Sequence, residues 1–199
     1  MSLDVRIHGR GGQGVVTAAE LLSLAAFDQG LHAQALPSFG SERTGAPVVA
    51  FCRIDDRPIR AHDPVETPDV VVVQDPTLLR GDDVLLGLAE QGLVVVNSGR
   101  SVEELRLAGL RLRPGQRVLA VPATELARVH LGRPLPNTAL LGAVAAATGV
   151  VGIAAVRRAI TERFDSRGRL LVAANLRLAE DAHALVISGQ ASGQEARRA

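Results

Sequence analysis

The first thirty residues combine a strand-like pattern with a helix-like pattern, and a run of glycines separates the two. Three apolar residues alternate with polar neighbours, as in a half-buried strand: Leu3, Val5 and Ile7. The glycine-rich segment GRGGQG follows at 9–14. Apolar and small residues then recur at helical spacing at Val16, Ala19, Leu22 and Ala26. This order predicts a strand, a tight glycine turn and a helix.

Further strands and helices alternate along the middle of the chain. Short apolar runs bounded by turn residues predict strands over 31–36, 48–54, 69–74, 92–97 and 117–122. Helical patterns between them predict helices over 82–90, 101–107 and 123–131, the second with a capping box beginning at Ser101. After Pro136 the pattern is helical throughout, over 137–148, 152–164 and 170–187.

This arrangement predicts an α/β fold. Strand–helix alternation favours an open, mostly parallel sheet flanked by helices, and the last third of the chain should be helical. A length of 199 residues is typical of one domain. We therefore expect a single α/β domain over 1–188 and a frayed, small and polar tail over 189–199.

Composition excludes several classes of function. The 22 basic residues, all arginine, nearly balance the 21 acidic ones, so no basic footprint for nucleic acid is expected. No apolar run reaches the roughly 18 residues of a membrane span, and the N-terminus is too charged for a signal peptide. The single cysteine cannot hold an iron–sulfur cluster and fits a reducing cytoplasm.

The glycine-rich segment is the first candidate site. Gly9, Gly11 and Gly14 match the pattern G-x-G-x-x-G between a strand and a helix, with Gly12 as an additional glycine. Glycines allow a phosphate to approach the backbone N–H groups at the helix N-terminus, and Arg10 could add an ion pair. We count the whole segment as candidate cofactor-binding residues: Gly9, Arg10, Gly11, Gly12, Gln13 and Gly14. The alternative is a turn that only allows close packing of helix on strand.

A dinucleotide-binding protein would need one more residue. An acidic side chain near the end of the second strand should bind the ribose hydroxyls. The segment HAQALP at 32–37 has no acid, and Gln34 is a weak substitute. NAD and FAD are therefore disfavoured.

Two more segments carry candidate site residues. In the loop over 38–45, Arg43 could bind a carboxylate or phosphate, and the hydroxyl groups of Ser38 and Thr44 could donate hydrogen bonds. The alternative there is a solvated surface loop. The third candidate is Asn137 with Thr138, which either cap a helix or place its N-terminus at the same cleft as the glycine turn.

The remaining polar residues carry weaker signals. The five histidines lack the spacing of metal ligands. Cys52 lies in an apolar strand and is expected to be a core residue. Three aspartates beside turns are interpreted as strand-end residues: Asp63, Asp69 and Asp75.

Four segments together resemble one protein family. They are GRGGQGVVTAAELL, PSFGSERTGAPVVAFCRI, PDVVVVQDP and RPLPNTALLGAVAAATGV, in that order between residues 3 and 186. They resemble the gamma subunit of 2-oxoacid:ferredoxin oxidoreductases. The resemblance implies a Rossmann-like domain that is inactive alone. Its complex would decarboxylate pyruvate or a branched-chain 2-oxoacid oxidatively to acyl-coenzyme A.

The resemblance also implies a division of labour among chains. Thiamine pyrophosphate and iron–sulfur clusters would reside in alpha, beta and delta-type subunits, separate or fused, and electrons would pass to ferredoxin. This chain would contribute to the cleft and to a coenzyme A contact, with no residue in covalent catalysis. The resemblance also implies that the 38–45 loop contacts a ligand or another subunit. Three alternatives stay open: an indolepyruvate-type subunit, a free-standing nucleotide-binding protein, and a purely structural scaffold.

Overall fold

Six strands form one sheet in the computed structural model, which describes residues 2–37, 45–81 and 84–189. The strands are β1 (Ser2–Arg10), β2 (His32–Pro37), β3 (Pro47–Asp55), β4 (Val70–Val73), β5 (Leu93–Asn97) and β6 (Arg117–Val121). Their order is β2-β3-β1-β4-β5-β6. Strands β1, β4, β5 and β6 pair in parallel, whereas β3 is antiparallel to both β1 and β2. Five of these six strands therefore run in one direction, which confirms the predicted mostly parallel sheet.

Helices flank the sheet and make up the last third of the described chain. They are α1 (Val15–Asp28), α2 (Val102–Leu107), α3 (Ala123–Leu131), α4 (Asn137–Thr148), α5 (Ile153–Phe164) and α6 (Arg169–Ile187). Short 3-10 helices span Pro76–Arg80 and Asp165–Arg167. The capping box of α2 is confirmed, because the Ser101 side chain accepts from the Glu104 N–H and the Glu104 carboxylate accepts from the Ser101 N–H. The helical C-terminal third is confirmed as well.

The helix predicted over 82–90 is wrong for the residues that the structure describes. Residues 84–87 form a turn, and 88–90 continue it without helical structure. Gly87 has φ +76°, a conformation that ends a right-handed helix, and a Cβ there would overlap the carbonyl oxygen of Glu66. The chain therefore turns closely against 66–67 at this point. Residues 82 and 83 lie outside the described part.

Two hydrophobic cores lie on opposite faces of the sheet. In β4, Val70 and Val72 belong to the core under α1 and α3–α6, whereas Val71 and Val73 belong to the core under α2. All four side chains of β4 are buried, because successive residues of a strand point to opposite faces. The continuous apolar runs in β4 and β5 thus reflect central strands covered on both faces.

The position of β3 brings the end of β1 beside the chain that enters β3. All nine residues of β1 pair with β3, from Ser2 with Asp55 to Arg10 with Pro47. The pairing continues into the glycine segment, where the Gly11 N–H donates to the Ala46 carbonyl at 2.9 Å and the Gly45 N–H donates to the Gly11 carbonyl at 3.2 Å. The turn after β1 is thereby held beside the residues that enter β3.

A single domain over 1–188 stays a prediction, and Gly189 is the one residue of the expected tail that is described. In the described ranges, no helix has both the length and the apolar character needed to cross a bilayer.

Candidate functional site

The glycine turn places an uncapped helix N-terminus at the carboxyl end of β1. Gly12 and Gly14 have φ of +93° and +73°, which only glycine adopts without strain. Gly14 is the N-cap of α1, and no side chain in the described residues hydrogen-bonds the first turn of that helix. The N–H groups of this turn, together with the helix dipole, favour an anionic group.

Two side chains of the segment maintain the turn itself. The Gln13 side-chain carbonyl accepts from the Arg10 N–H at 2.8 Å, and the Gln13 N–H donates to the Arg10 carbonyl at 3.0 Å. Gly9 is also structural, because a Cβ there would lie 2.6 Å from Cγ2 of Val15 and 3.2 Å from Cβ of Gln74. Gly9 thus packs closely against the first residue of α1, whereas a Cβ at Gly12 would meet nothing within 4 Å.

Arg10 is paired within the chain. Its Nε donates to Asp75 Oδ2 at 2.7 Å, Nη1 to the Gly45 carbonyl at 3.1 Å and Nη2 to Thr77 Oγ1 at 3.0 Å. Burial tends to raise the pKa of Asp75, but hydrogen bonds from Thr77 and Arg10 outweigh it and hold this pKa below its ordinary value. Asp75 therefore stays ionised and orients the guanidinium. From the sequence we expected Asp75 only to end a strand. The structure adds the ion pair with Arg10, because Asp75 follows β4 and β4 is the parallel neighbour of β1.

Asn137 lies against the glycine turn and is not the helix cap considered above. Pro136 is the N-cap of α4, Asn137 is its first residue, and the Asn137 side chain makes no capping hydrogen bond. The residue is 2% exposed, and its Oδ1 has no hydrogen-bond partner among the described residues. A Cβ added to Gly14 would lie 2.5 Å from Asn137 Nδ2. The N-termini of α1 and α4 therefore meet, with a buried amide between them.

Thr138, in contrast, is engaged in helix packing. It is fully buried, and its hydroxyl donates to Asn175 Oδ1 on α6 at 3.0 Å. Asn175 Nδ2 in turn donates to the Leu171 carbonyl at 2.8 Å. The Thr138 hydroxyl thus joins α4 to α6 and does not face the glycine turn.

Two buried polar residues beside the turn escaped the sequence analysis. His8 precedes Gly9 on β1, and burial together with the nearby Arg6 charge lowers its pKa from 6.5 to about 4. Gln74 follows β4 and is fully buried, and neither amide atom of its side chain has a partner among the described residues. What distinguishes these two residues is their burial, which the sequence does not reveal.

The remaining candidates fall into two groups. Ser38, Arg43 and Thr44 lie outside the described residues. Cys52 is confirmed as a core residue: it is fully buried, and burial, with a smaller contribution from the Asp4 charge, raises the pKa of its thiol. Within the described residues, no group of three or more His, Cys, Asp or Glu side chains could hold a metal ion.

The family model described as pyruvate ferredoxin/flavodoxin oxidoreductase matches residues 4–185, which include the glycine turn, Asp75 and the start of α4. The chain belongs to this family. Its relatives include the pyruvate/ketoisovalerate oxidoreductases common subunit gamma of Thermococcus kodakarensis, 54% identical over 162 residues, 81% of this chain and 86% of the relative. Pyruvate synthase subunit PorC of Methanosarcina barkeri is 50% identical over 157 residues, 79% of this chain and 84% of that protein.

Two solved structures have the same fold as this chain. The pyruvate oxidoreductase subunit PORC of Thermotoga maritima superposes with a TM-score of 0.82 at 34% identity, covering 98% of this chain and 99% of that chain. The 2-oxoglutarate:ferredoxin oxidoreductase of Magnetococcus marinus shares the fold at 18% identity and a TM-score of 0.77; the match covers 94% of this chain and 31% of that chain. The fold and the family predicted from the four segments are both confirmed.

Proposed function

We propose that this chain is the gamma subunit of a thiamine-dependent 2-oxoacid:ferredoxin oxidoreductase in the cytoplasm. The complex decarboxylates pyruvate or a branched-chain 2-oxoacid oxidatively, transfers the acyl group to coenzyme A and passes electrons to ferredoxin. Support comes from relatives named as gamma or PorC subunits, which are half identical to this chain and nearly as long. The similar lengths indicate that the chain corresponds to the same unit in those proteins.

The side chains available as cofactor ligands favour cofactors held by partner subunits. An iron–sulfur cluster takes cysteine thiolates, and the only cysteine of the chain is fully buried with a raised pKa. Thiamine pyrophosphate supplies the carbanion stabilisation that decarboxylation of a 2-oxoacid needs. We place these groups on alpha, beta and delta-type subunits, and the gamma subunit shapes the cleft where they act.

The gamma subunit itself contributes a contact to coenzyme A, on this proposal. The observation that carries it is the junction of two helix N-termini at Gly14, with the unpartnered, buried amide of Asn137 between them. The diphosphate of coenzyme A offers negative charge to the α1 N-terminus, and its pantetheine amides offer an N–H to Asn137 Oδ1. Arg10, paired with Asp75, joins the turn to the residues that follow β4.

A free-standing nucleotide-binding protein is less compatible with this geometry. In a dinucleotide fold, β2 neighbours β1 and carries the acid that binds the ribose. Here β3 lies between β1 and β2, and β2 has no acid. An indolepyruvate-type complex differs from the proposed one in its 2-oxoacid substrate and stays the second candidate. The relatives named above favour pyruvate or ketoisovalerate, because they are named after these substrates.

The substitution Asn137→Asp tests the coenzyme A contact in the assembled complex. It keeps the side-chain shape and adds a negative charge that repels a diphosphate at the α1 N-terminus. We expect the KM for coenzyme A to rise roughly tenfold, the loss of about one charge-assisted contact, while the KM for the 2-oxoacid stays unchanged. The matched control is Asn175→Asp, an equally buried asparagine on α6. It introduces the same buried charge away from the turn and should leave the KM for coenzyme A unchanged.

Two failures would have different meanings. If the variant complex assembles and its KM for coenzyme A equals that of the wild type, the coenzyme A contact is wrong and the subunit role stands. If the wild-type chain does not co-purify with alpha and beta-type subunits that carry the thiamine site, the subunit role itself is wrong.

A further inference from the structure

A cleft opens at the carboxyl ends of β4 and β5. It has a volume of about 560 Å³, within the range of small-molecule sites. The 3-10 helix Pro76–Arg80, the turn after β5 and the helices α2 and α3 form its walls. The lining also includes Asn97, the last residue of β5.

The position of the cleft matches a rule for ligand sites in open α/β sheets. Ligands bind outside the carboxyl ends of parallel strands, where the connections from neighbouring strands leave to opposite faces. Strand β5 continues into α2, whose Val102 and Leu105 pack in one core. Its parallel neighbour β6 continues into α3, whose Ala123 and Ala127 pack in the other core. The cleft lies where these two connections diverge.

Hydroxyl donors line the cleft. Asn97 is buried and fixed by hydrogen bonds: its Nδ2 donates to the Gln74 carbonyl and to Thr124 Oγ1, both at 2.8 Å, and its Oδ1 accepts from the Thr124 N–H at 3.0 Å. Ser98 Oγ accepts from the Arg100 N–H at 3.0 Å. Within the described residues, the hydroxyl hydrogens of Ser98 and Thr124 have no acceptor. Both remain available to a ligand.

Three arginines line the same cleft from three different elements. Arg80 ends the 3-10 helix, Arg100 follows β5, and Arg128 lies in the last turn of α3. Across the described ranges, none of the three has a carboxylate within 4.0 Å, whereas Arg10, Arg53, Arg157, Arg158 and Arg163 each have one. Among the described residues of the lining, Glu125 is the one acidic side chain beside these three arginines.

We propose that this cleft binds a small molecule carrying a phosphate group. Three guanidinium groups and two free hydroxyls make the cleft rich in donors, and a phosphate is an acceptor with a double negative charge. The concave shape and the limited volume favour a small molecule over a protein surface. The site is separate from the glycine turn and does not depend on the proposed function of that turn. Thr77 lies between the two, lining the cleft and accepting from Arg10.

The test is a titration of the full chain with inorganic phosphate and then with pyrophosphate, followed residue by residue in ¹H–¹⁵N correlation spectra. We expect saturable shifts of the backbone signals of Gly99, Arg100 and Thr124. The double variant R100Q/R128Q should weaken binding by at least about tenfold. Both arginines are exposed, so the variant should keep the wild-type melting temperature. The control variant R117Q removes an exposed arginine at the start of β6, the opposite end of the sheet, and should bind as the wild type does.

Three results would overturn the proposal. The first is saturable shifts confined to Gly12, Gly14 and Val15, which would place phosphate at the glycine turn alone. The second is equal weakening in R117Q and R100Q/R128Q, which would indicate general attraction to a positive surface. The third is the absence of saturable shifts with both probes.

Discussion

At the scale of single residues, His8 is the clearest departure from ordinary solution chemistry. It lies on β1 next to the glycine turn, is 9% exposed, and its Nε2 has no partner among the described residues. Burial, followed by the Arg6 charge, lowers its pKa from 6.5 to about 4. The native chain therefore keeps His8 neutral at pH values where the unfolded chain protonates it.

This difference predicts a dependence of stability on pH. Between about pH 6.5 and pH 4 the unfolded chain binds a proton that the native chain does not, so the free energy of unfolding falls as the pH is lowered through that window. At about pH 4, His8 has lowered the free energy of unfolding by about 3 kcal/mol, whereas above about pH 6.5 it no longer lowers it. His8→Gln should remove this loss, which urea unfolding at about pH 7 and pH 4 measures. The control is His32→Gln, an exposed residue on β2. Parallel pH profiles for His8→Gln and the wild type would contradict the account.

Residue types alone identified only part of the candidate site. The glycines were found because a G-x-G-x-x-G pattern between strand and helix constrains the local backbone. Asp75 contacts Arg10, 65 positions earlier in the chain, and Asn137 contacts Gly14, more than 120 positions earlier. Nothing in the neighbouring sequence indicates that Asp75 pairs with Arg10, or that Asn137 packs on Gly14 without capping its own helix. Such contacts follow from sheet order and helix packing, which the sequence pattern leaves open.

At the scale of elements, α4 and α6 approach each other closely at one glycine. Gly142 lies in the middle of α4, and a Cβ there would overlap the carbonyl oxygen of Ala179 on α6. These two helices also share the hydrogen bond from Thr138 to Asn175. The glycine therefore sets the distance between the helix that carries Asn137 and the helix behind it.

The sign of the change in the free energy of unfolding on Gly142→Ala tests this contact. In an exposed helix interior, alanine stabilises by about 1 kcal/mol relative to glycine. Here the added methyl group must push α6 away, so we expect a loss of about 2 kcal/mol in the free energy of unfolding. Gly152→Ala, at the N-cap of α5, is a control for an added methyl group without a clash, because its Cβ would meet only Gln29 Oε1, at 3.7 Å. A gain in stability for Gly142→Ala in urea unfolding would refute the close approach of the two helices.

Most elements were predictable from periodicity, and the exceptions have physical causes. The capping box of α2 and the apolar runs of β4 and β5 are local signals, and the structure confirms them. The segment 82–90 has helical periodicity, but Gly87 with φ +76° turns it against 66–67. The insertion of β3 between β1 and β2 was also beyond reach, because a strand pattern does not specify which neighbour it pairs with.

At the scale of the whole molecule, the chain resembles one component of a larger enzyme. Its fold covers 99% of a solved PORC chain but only 31% of a 2-oxoglutarate:ferredoxin oxidoreductase chain, in which the same fold is one part of a longer polypeptide. Within the described residues it offers an uncapped helix N-terminus at the glycine turn, which is the place of the proposed ligand contact.

The most direct test is an omission experiment on the reconstituted complex. Alpha, beta and delta-type subunits are assembled with and without this chain, and ferredoxin reduction is measured with pyruvate and 2-ketoisovalerate in the presence of coenzyme A. We expect activity only when this chain is present, its restoration when the purified chain is added back, and none from the chain by itself. Full coenzyme A-dependent activity in the complex that lacks the chain, or turnover of either 2-oxoacid by the isolated chain, would contradict the account.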